Sequence, residues 1–165
     1  MSIRLPLEEV LSVQNNGNLG VSSVSGGIAT EFTIPQDADN VVVKFTASTA
    51  GGGVSTVLQT TDDGGTTWYD VARTSVVSNA NDTIAQWISA PVIGAGLRTA
   101  VTYAEASIIT AGIGSAAAST LAAGQLTGLP ILSQRGRVFL ITSAGITTVS
   151  SVTTKVMVNS QSATA

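Results

Sequence analysis

The chain contains no cysteine and no histidine. Their absence removes disulfide frameworks, thiolate zinc sites, cysteine nucleophiles, imidazole bases and haem ligation together. Charge is scarce as well: 10% of the residues are Asp, Glu, Lys or Arg, against roughly 25% in an average soluble protein. The basic residues Arg4, Lys44, Arg73, Arg98, Arg135, Arg137 and Lys155 form no stripe and the net charge is −3, which disfavours direct nucleic-acid binding. Arg135 and Arg137 are the one close pair, and their place before an apolar run suits a turn-flanking role better than a phosphate clamp. Glu8 and Glu9 interrupt the first apolar residues before a signal-peptide core can form, and no uninterrupted apolar run reaches membrane-span length.

Catalytic constellations fail for the same reasons. The serines have no histidine to activate them, and a Ser–Lys dyad would need Lys44 or Lys155, each at a strand position that alternates toward solvent. The glycine clusters at 51–53 and 112–114 lack the Gly-Lys-Ser/Thr ending of a phosphate loop, so they read as turns. No catalytic residue, cofactor or metal is assigned, and the chain reads as a non-enzyme.

What remains is 165 residues, one domain's length, with an ordinary hydrophobic fraction of 44% and a polar complement drawn from Ser, Thr, Gly, Gln and Asn. Neutral polar groups lose less than ions when a surface is covered, a first pointer to an assembly subunit. Residues 1–27 read as an N-terminal arm. Ile3, Leu5 and Leu7 alternate around Pro6, and Leu11 follows, forming an extended or edge segment that needs something to lie against: its own domain or a neighbouring subunit. These four side chains are the candidate partner contacts, and a chain beginning near Gly27 is expected to fold.

Residues 28–165 form the domain proper. Val41, Val43, Phe45 and Ala47 fall on one face of a strand at 40–48, with Lys44, Thr46 and Ser48 on the other. Further strands are expected at 54–61, 68–73, 82–89 (Ile84 and Ile88 opposite Trp87), 137–142 and 149–158. Residues 115–123 suit either a short Ala-rich helix or a Gly/Ala/Ser loop. Regularly spaced strands with turn signals predict an all-β antiparallel β-sandwich or jelly roll.

One motif is sharp. Thr61, Asp63, Gly65, Thr67 and Trp68 fit the Asp-box pattern S/T-x-D-x-G-x-T-W. Asp can accept backbone N–H bonds inside a tight turn, Gly can take the positive φ of a reversal, and Trp can fold back over the hairpin. Sialidases repeat this motif through propeller blades, which a single copy cannot build. Asp62, Asp63 and Asp70 supply oxygen ligands but not the spacing of a calcium loop. Trp68 and Trp87 fit core or interface positions better than a sugar-stacking platform, because so few aromatic residues are present to fill a core.

The run VSTVLQTTDDGGTTWYDVAR at 54–73 and the closing hairpin GRVFLITSAGITTVSSVTTKVMV at 136–158 together resemble small β-sandwich structural proteins of tailed bacteriophages. The DGGTTWYDV hairpin is the specific part; the rest matches in style. The resemblance implies a capsid decoration or cement subunit on the virion surface after synthesis in the host cytoplasm. Its partners would be the major capsid protein and copies of itself, with neither nucleic acid nor membrane bound directly. A tail or neck subunit, or a carbohydrate- or receptor-binding module using Trp68, Tyr69 and Trp87, stands beside that expectation.

Overall fold

Two kinds of strand follow from the pattern of apolar residues: those apolar at every second position, and those apolar at both parities. A computed structural model describes residues 7–17, 29–35, 38–50, 53–78, 84–92, 108–110, 121–127, 131, 135–142 and 148–160. Ten strands lie there: β1 (Glu8–Gly17), β2 (Thr30–Thr33), β3 (Ala38–Ala50), β4 (Gly53–Thr60), β5 (Thr67–Arg73), β6 (Val77–Ser78), β7 (Ile84–Pro91), β8 (Ile108–Thr110), β9 (Arg135–Thr142) and β10 (Thr148–Ser160). They form a four-stranded sheet in the order β1-β10-β3-β7 and a six-stranded sheet in the order β2-β9-β4-β5-β8, with β6 pairing to β4. Every ladder is antiparallel. The protein is an all-β sandwich, as the alternation predicts. No helix occurs among the described residues; Leu121–Ala123 are irregular chain entering a turn, and most of the segment in question, 115–120, lies outside them.

The sheets meet through the single apolar faces of β3, β7 and β10. Val41 and Val43, Ile88 and Ala90, and Val156 and Val158 pack on Leu58, Val71, Ala72 and Val138 of the other sheet. A second cluster continues this layer, joining Phe45, Ala47 and Val152 to Val54, Val77 and Leu140. Full burial of each Val, Leu, Ile or Phe contributes about 1.5–3 kcal/mol, so these pairs hold the sandwich closed.

Along β4 the six-stranded sheet is buried on both faces. All eight residues of β4 are inaccessible, although alternation alone would expose every second one. Val57 lies opposite Phe139 and joins it and Ile141 in an apolar cluster on the face turned away from the sandwich interior. The register of β4 on β5 slips between Leu58 and Gln59, a bulge that leaves Val71 unpaired. Its effect is to place both Asp70, opposite Gln59, and Arg73, opposite Val57, on that second face.

Residues 8–17, which belong to the arm by sequence, make the edge strand β1 on β10. Leu11 and Val10 pack against the sandwich core, and Leu7 is exposed. Ile3 and Leu5 lie outside the described residues. A chain beginning at Gly27 would therefore lose a strand of its own sheet, and a test of the arm as an anchor has to stop before Glu8.

Gly136 pairs with Phe32 across β9 and β2, and a Cβ there would lie 2.5 Å from Phe32 Cζ. Phe32 is buried and packed in the core cluster. Gly136→Ala is expected to destabilise the fold by about 1–3 kcal/mol through overpacking. The decline should be largely recovered in Phe32→Leu/Gly136→Ala, measured by urea unfolding midpoints; equal loss in both variants would contradict the contact.

Candidate functional site

The Asp-box segment closes the β4–β5 hairpin, and its wiring follows from a reversal that must satisfy several backbone N–H groups at once. Thr61, fully buried, donates its hydroxyl to Asp63 Oδ1 (2.9 Å) and accepts from the N–H of Gly65 (2.9 Å). Asp63 Oδ1 also accepts from the backbone N–H groups of Thr66 (2.9 Å) and Thr67 (2.8 Å). Gly64 and Gly65 take φ of 77° and 106°, which a side chain would strain. Trp68 folds back to donate Nε1–H to the Gly65 carbonyl (2.9 Å), and Arg135 donates to the Gly64 carbonyl while pairing with Glu31. Thr61, Asp63, Gly65, Thr67 and Trp68 are thus brought together as a structural turn.

The Asp63 carboxyl is held well below the usual carboxylate range, first by the Thr67 N–H, then by the Thr67 hydroxyl, with Thr61 and Thr66 adding to both. It is spent on the turn. Asp70 is buried one strand position beyond Trp68 and Tyr69, where it accepts from Gln59, so Asp63 and Asp70 serve different structures rather than one calcium site. Among the described residues no group of three or more carboxylates gathers to hold a metal. Tyr69 has its phenol pushed up by burial and by the neighbouring Asp62 charge.

Below the turn, on the second face of the six-stranded sheet, lies a polar row that no sequence motif marks. Arg137 Nε donates to Gln59 Oε1 (2.7 Å), and Gln59 Nε2 donates to Asp70 Oδ1 (2.7 Å), joining β9, β4 and β5. The Arg137 guanidinium lies 4.3 Å from the centroid of the Trp68 ring, and the residue as a whole is buried. Burial lowers its pKa to about 10, opposed by the Glu31 and Asp70 charges, so it remains a cation at neutral pH. Next along the face, Arg73 donates to Ser55 Oγ (2.9 Å) and to the Leu121 carbonyl (2.8 Å). An amide stands between cation and anion. Gln59 takes up and releases no proton in this range, so the row neutralises charge and ties strands together.

The exposed side of the four-stranded sheet carries a different group. Lys155 and Lys44 sit directly opposite each other on β10 and β3, and Lys44 faces Trp87 on β7. Each ammonium has its own relief from the like-charge contact: Lys155 pairs with Glu9 (2.8 Å), and Lys44 lies 5.0 Å from the Trp87 ring centroid. Trp87 is 57% exposed, whereas Trp68 is 1% exposed. The two tryptophans therefore lie on different sheets and form no common platform.

Against this geometry, no family model, curated protein or solved structure matches the chain. No helix among the described residues is long and apolar enough to cross a membrane. The fold and its hairpin define the molecule as an all-β sandwich with a single Asp-box-type turn.

Two outcomes test the wiring. Because the folded-state pKa of Asp63 is depressed, its stabilisation is complete above the ordinary aspartate value of about 4 and is lost as pH falls below it. The wild type should lose stability more steeply than Asp63→Asn from about pH 4 downward, measured as denaturation midpoints across a pH series; parallel curves would contradict the assignment. Trp68→Ala, which empties a buried site and uncovers Arg137, should cost about 3–5 kcal/mol, while Trp87→Ala leaves the melting temperature within a few degrees of wild type.

Proposed function

We propose that the protein is a non-enzymatic virion structural subunit of the capsid decoration or cement type, binding the major capsid protein and stabilising the shell. The observation that carries this reading is the outward face of the four-stranded sheet. There an exposed Trp87 stands among neutral or small residues such as Thr46, Ser89 and Ala85, and the charges Lys44, Lys155 and Glu9 are already engaged locally. Such a face costs little to desolvate, and an exposed aromatic is the usual anchor of a protein contact. The virion location rests on the resemblance of the hairpin segments to phage structural proteins.

Recognition of a carbohydrate or receptor is the second reading, and the exposure of Trp87 is what favours it. Trp68, which that reading also needs, is sealed against Arg137. Purified capsids lacking the protein, titrated with wild type and Trp87→Ala, separate the two. Dense occupancy by wild type and roughly 30-fold weaker binding of the variant, the loss of one hot spot of about 2 kcal/mol, is the expected result. No occupancy by wild type, together with Trp87-dependent binding to a glycan, would overturn the proposal. Deleting residues 1–7 in the same assay measures the share of the arm, including Leu7, without removing β1.

A further inference from the structure

Among the described residues, the two-residue β6 aside, the sheets end in four outer strands, β1 and β7, β2 and β8, and an edge strand offers unpaired N–H and C=O groups to any strand that can reach it. Three of the four edges carry devices that discourage this. β1 has Glu8 and Glu9 and two register shifts against β10. β2 is four residues long and carries Glu31, paired with Arg135. β8 is three residues long. The fourth edge, β7, is eight residues of sequence IAQWISAP with no charge, and its register on β3 runs from Asn40↔Pro91 to Ala47↔Ile84 without a shift. Among the described residues its ladder is with β3 alone, and its outer edge is met at the end, where the Pro91 carbonyl accepts from the Ile131 N–H (2.8 Å).

The strand is also held ready. On its inner side, Gln86 clasps the backbone of Ser75 in the connection between β5 and β6, accepting from its N–H (2.8 Å) and donating to its carbonyl (3.2 Å). Ile88 and Ala90 anchor it in the core. On its outer side Ala85, Trp87 and Ser89 are exposed, and Val76, next to the clasped Ser75, is another of the few large apolar side chains in solvent. A straight edge already fixed in place loses little conformational entropy on pairing.

We infer that β7 is a self-association edge, pairing antiparallel with β7 of a second copy across a two-fold axis at Trp87 to make one continuous eight-stranded sheet. Antiparallel self-pairing sets like residues near like, so it penalises any edge that carries charge; β7 carries none. Centring the axis on Trp87 pairs Ile84 with Ala90 and Gln86 with Ile88 of the second copy, and leaves Pro91, which has no N–H to give, outside the ladder. It also places the two indoles together on the outward face. Ala85 then lies opposite Ser89 of the second copy on either side, small residues that leave room for the rings. This inference does not rest on the capsid reading, since the contact belongs to the isolated protein.

The register makes a specific test possible by sedimentation equilibrium of the purified full chain. Wild type is expected to be dimeric. Ala85→Lys/Ser89→Lys sets lysine against lysine at both flanking pairs and should weaken the dimer roughly 10-fold or more. Ala85→Glu/Ser89→Lys, identical in position but complementary across the axis, should restore it to wild-type strength or better. Both positions are exposed, and unchanged melting of the monomeric units confirms that folding is intact. A wild type that stays monomeric at the highest soluble concentration overturns the inference, as does a dimer indifferent to the lysine pair. Equal weakening by both double variants would overturn the register and with it the two-fold at Trp87. None of these outcomes involves a capsid, so failure here is separable from failure of the proposed function.

Discussion

β4 buries all eight of its residues, and the rest of the six-stranded sheet is organised around that constraint. A strand closed on both faces has no solvent to receive a polar group, so each polar side chain must bring its partner with it. Ser55 meets Arg73, Thr56 donates to the Phe139 carbonyl, and Gln59 bridges Arg137 and Asp70. The bulge at Val71 belongs to the same solution. It turns Arg73 to the face where Ser55 and the Leu121 carbonyl can satisfy it.

Trp68 couples this buried row to the turn above it. Its Nε1–H is bonded to the Gly65 carbonyl and its ring lies against the Arg137 guanidinium, so one side chain closes the Asp-box loop and covers a buried cation. Arg135, two residues before Arg137 on the same strand, reaches the other side of the loop at Gly64. Residues two apart on β9 share a face, so it is position along the strand that gives the two arginines different tasks, one clamping the turn beside Glu31 and the other stitching three strands.

The four-stranded sheet solves a different problem. Its inner face is buried and its outer face meets solvent at Ala85, Trp87 and Ser89; the lysines facing each other across β3 and β10 are relieved locally by Glu9 and Trp87. Such a surface is quiet electrostatically without being inert. The proposed contact with another protein and the proposed extension of the sheet at β7 both draw on this, because neither requires the removal of an unpaired charge.

The sequence by itself determined the strands and one turn. Period-two alternation in β3 and β10 writes its outcome locally, since each residue's face is set by parity, and the spacing from Thr61 to Trp68 specifies a loop whose bonds among Thr61, Asp63, Gly65, Thr67 and Trp68 close within eight residues. What only the tertiary structure decided involves residues far apart in the chain. Alternation in β4 did not say that both its faces would be covered, and Asp70 read as one of three carboxylates without calcium-loop spacing and Arg137 as a turn-flanking residue until the order β9-β4-β5 aligned them with Gln59. The two tryptophans were indistinguishable as letters, yet one closes a turn over a buried arginine and the other faces solvent. Leu11, read as a partner contact, packs on its own core because β1 finds β10 nearly the whole chain away. Parity and turn chemistry are properties of neighbouring residues; sheet order is a property of the folded chain, and it decides which polar groups meet and which edge is left open.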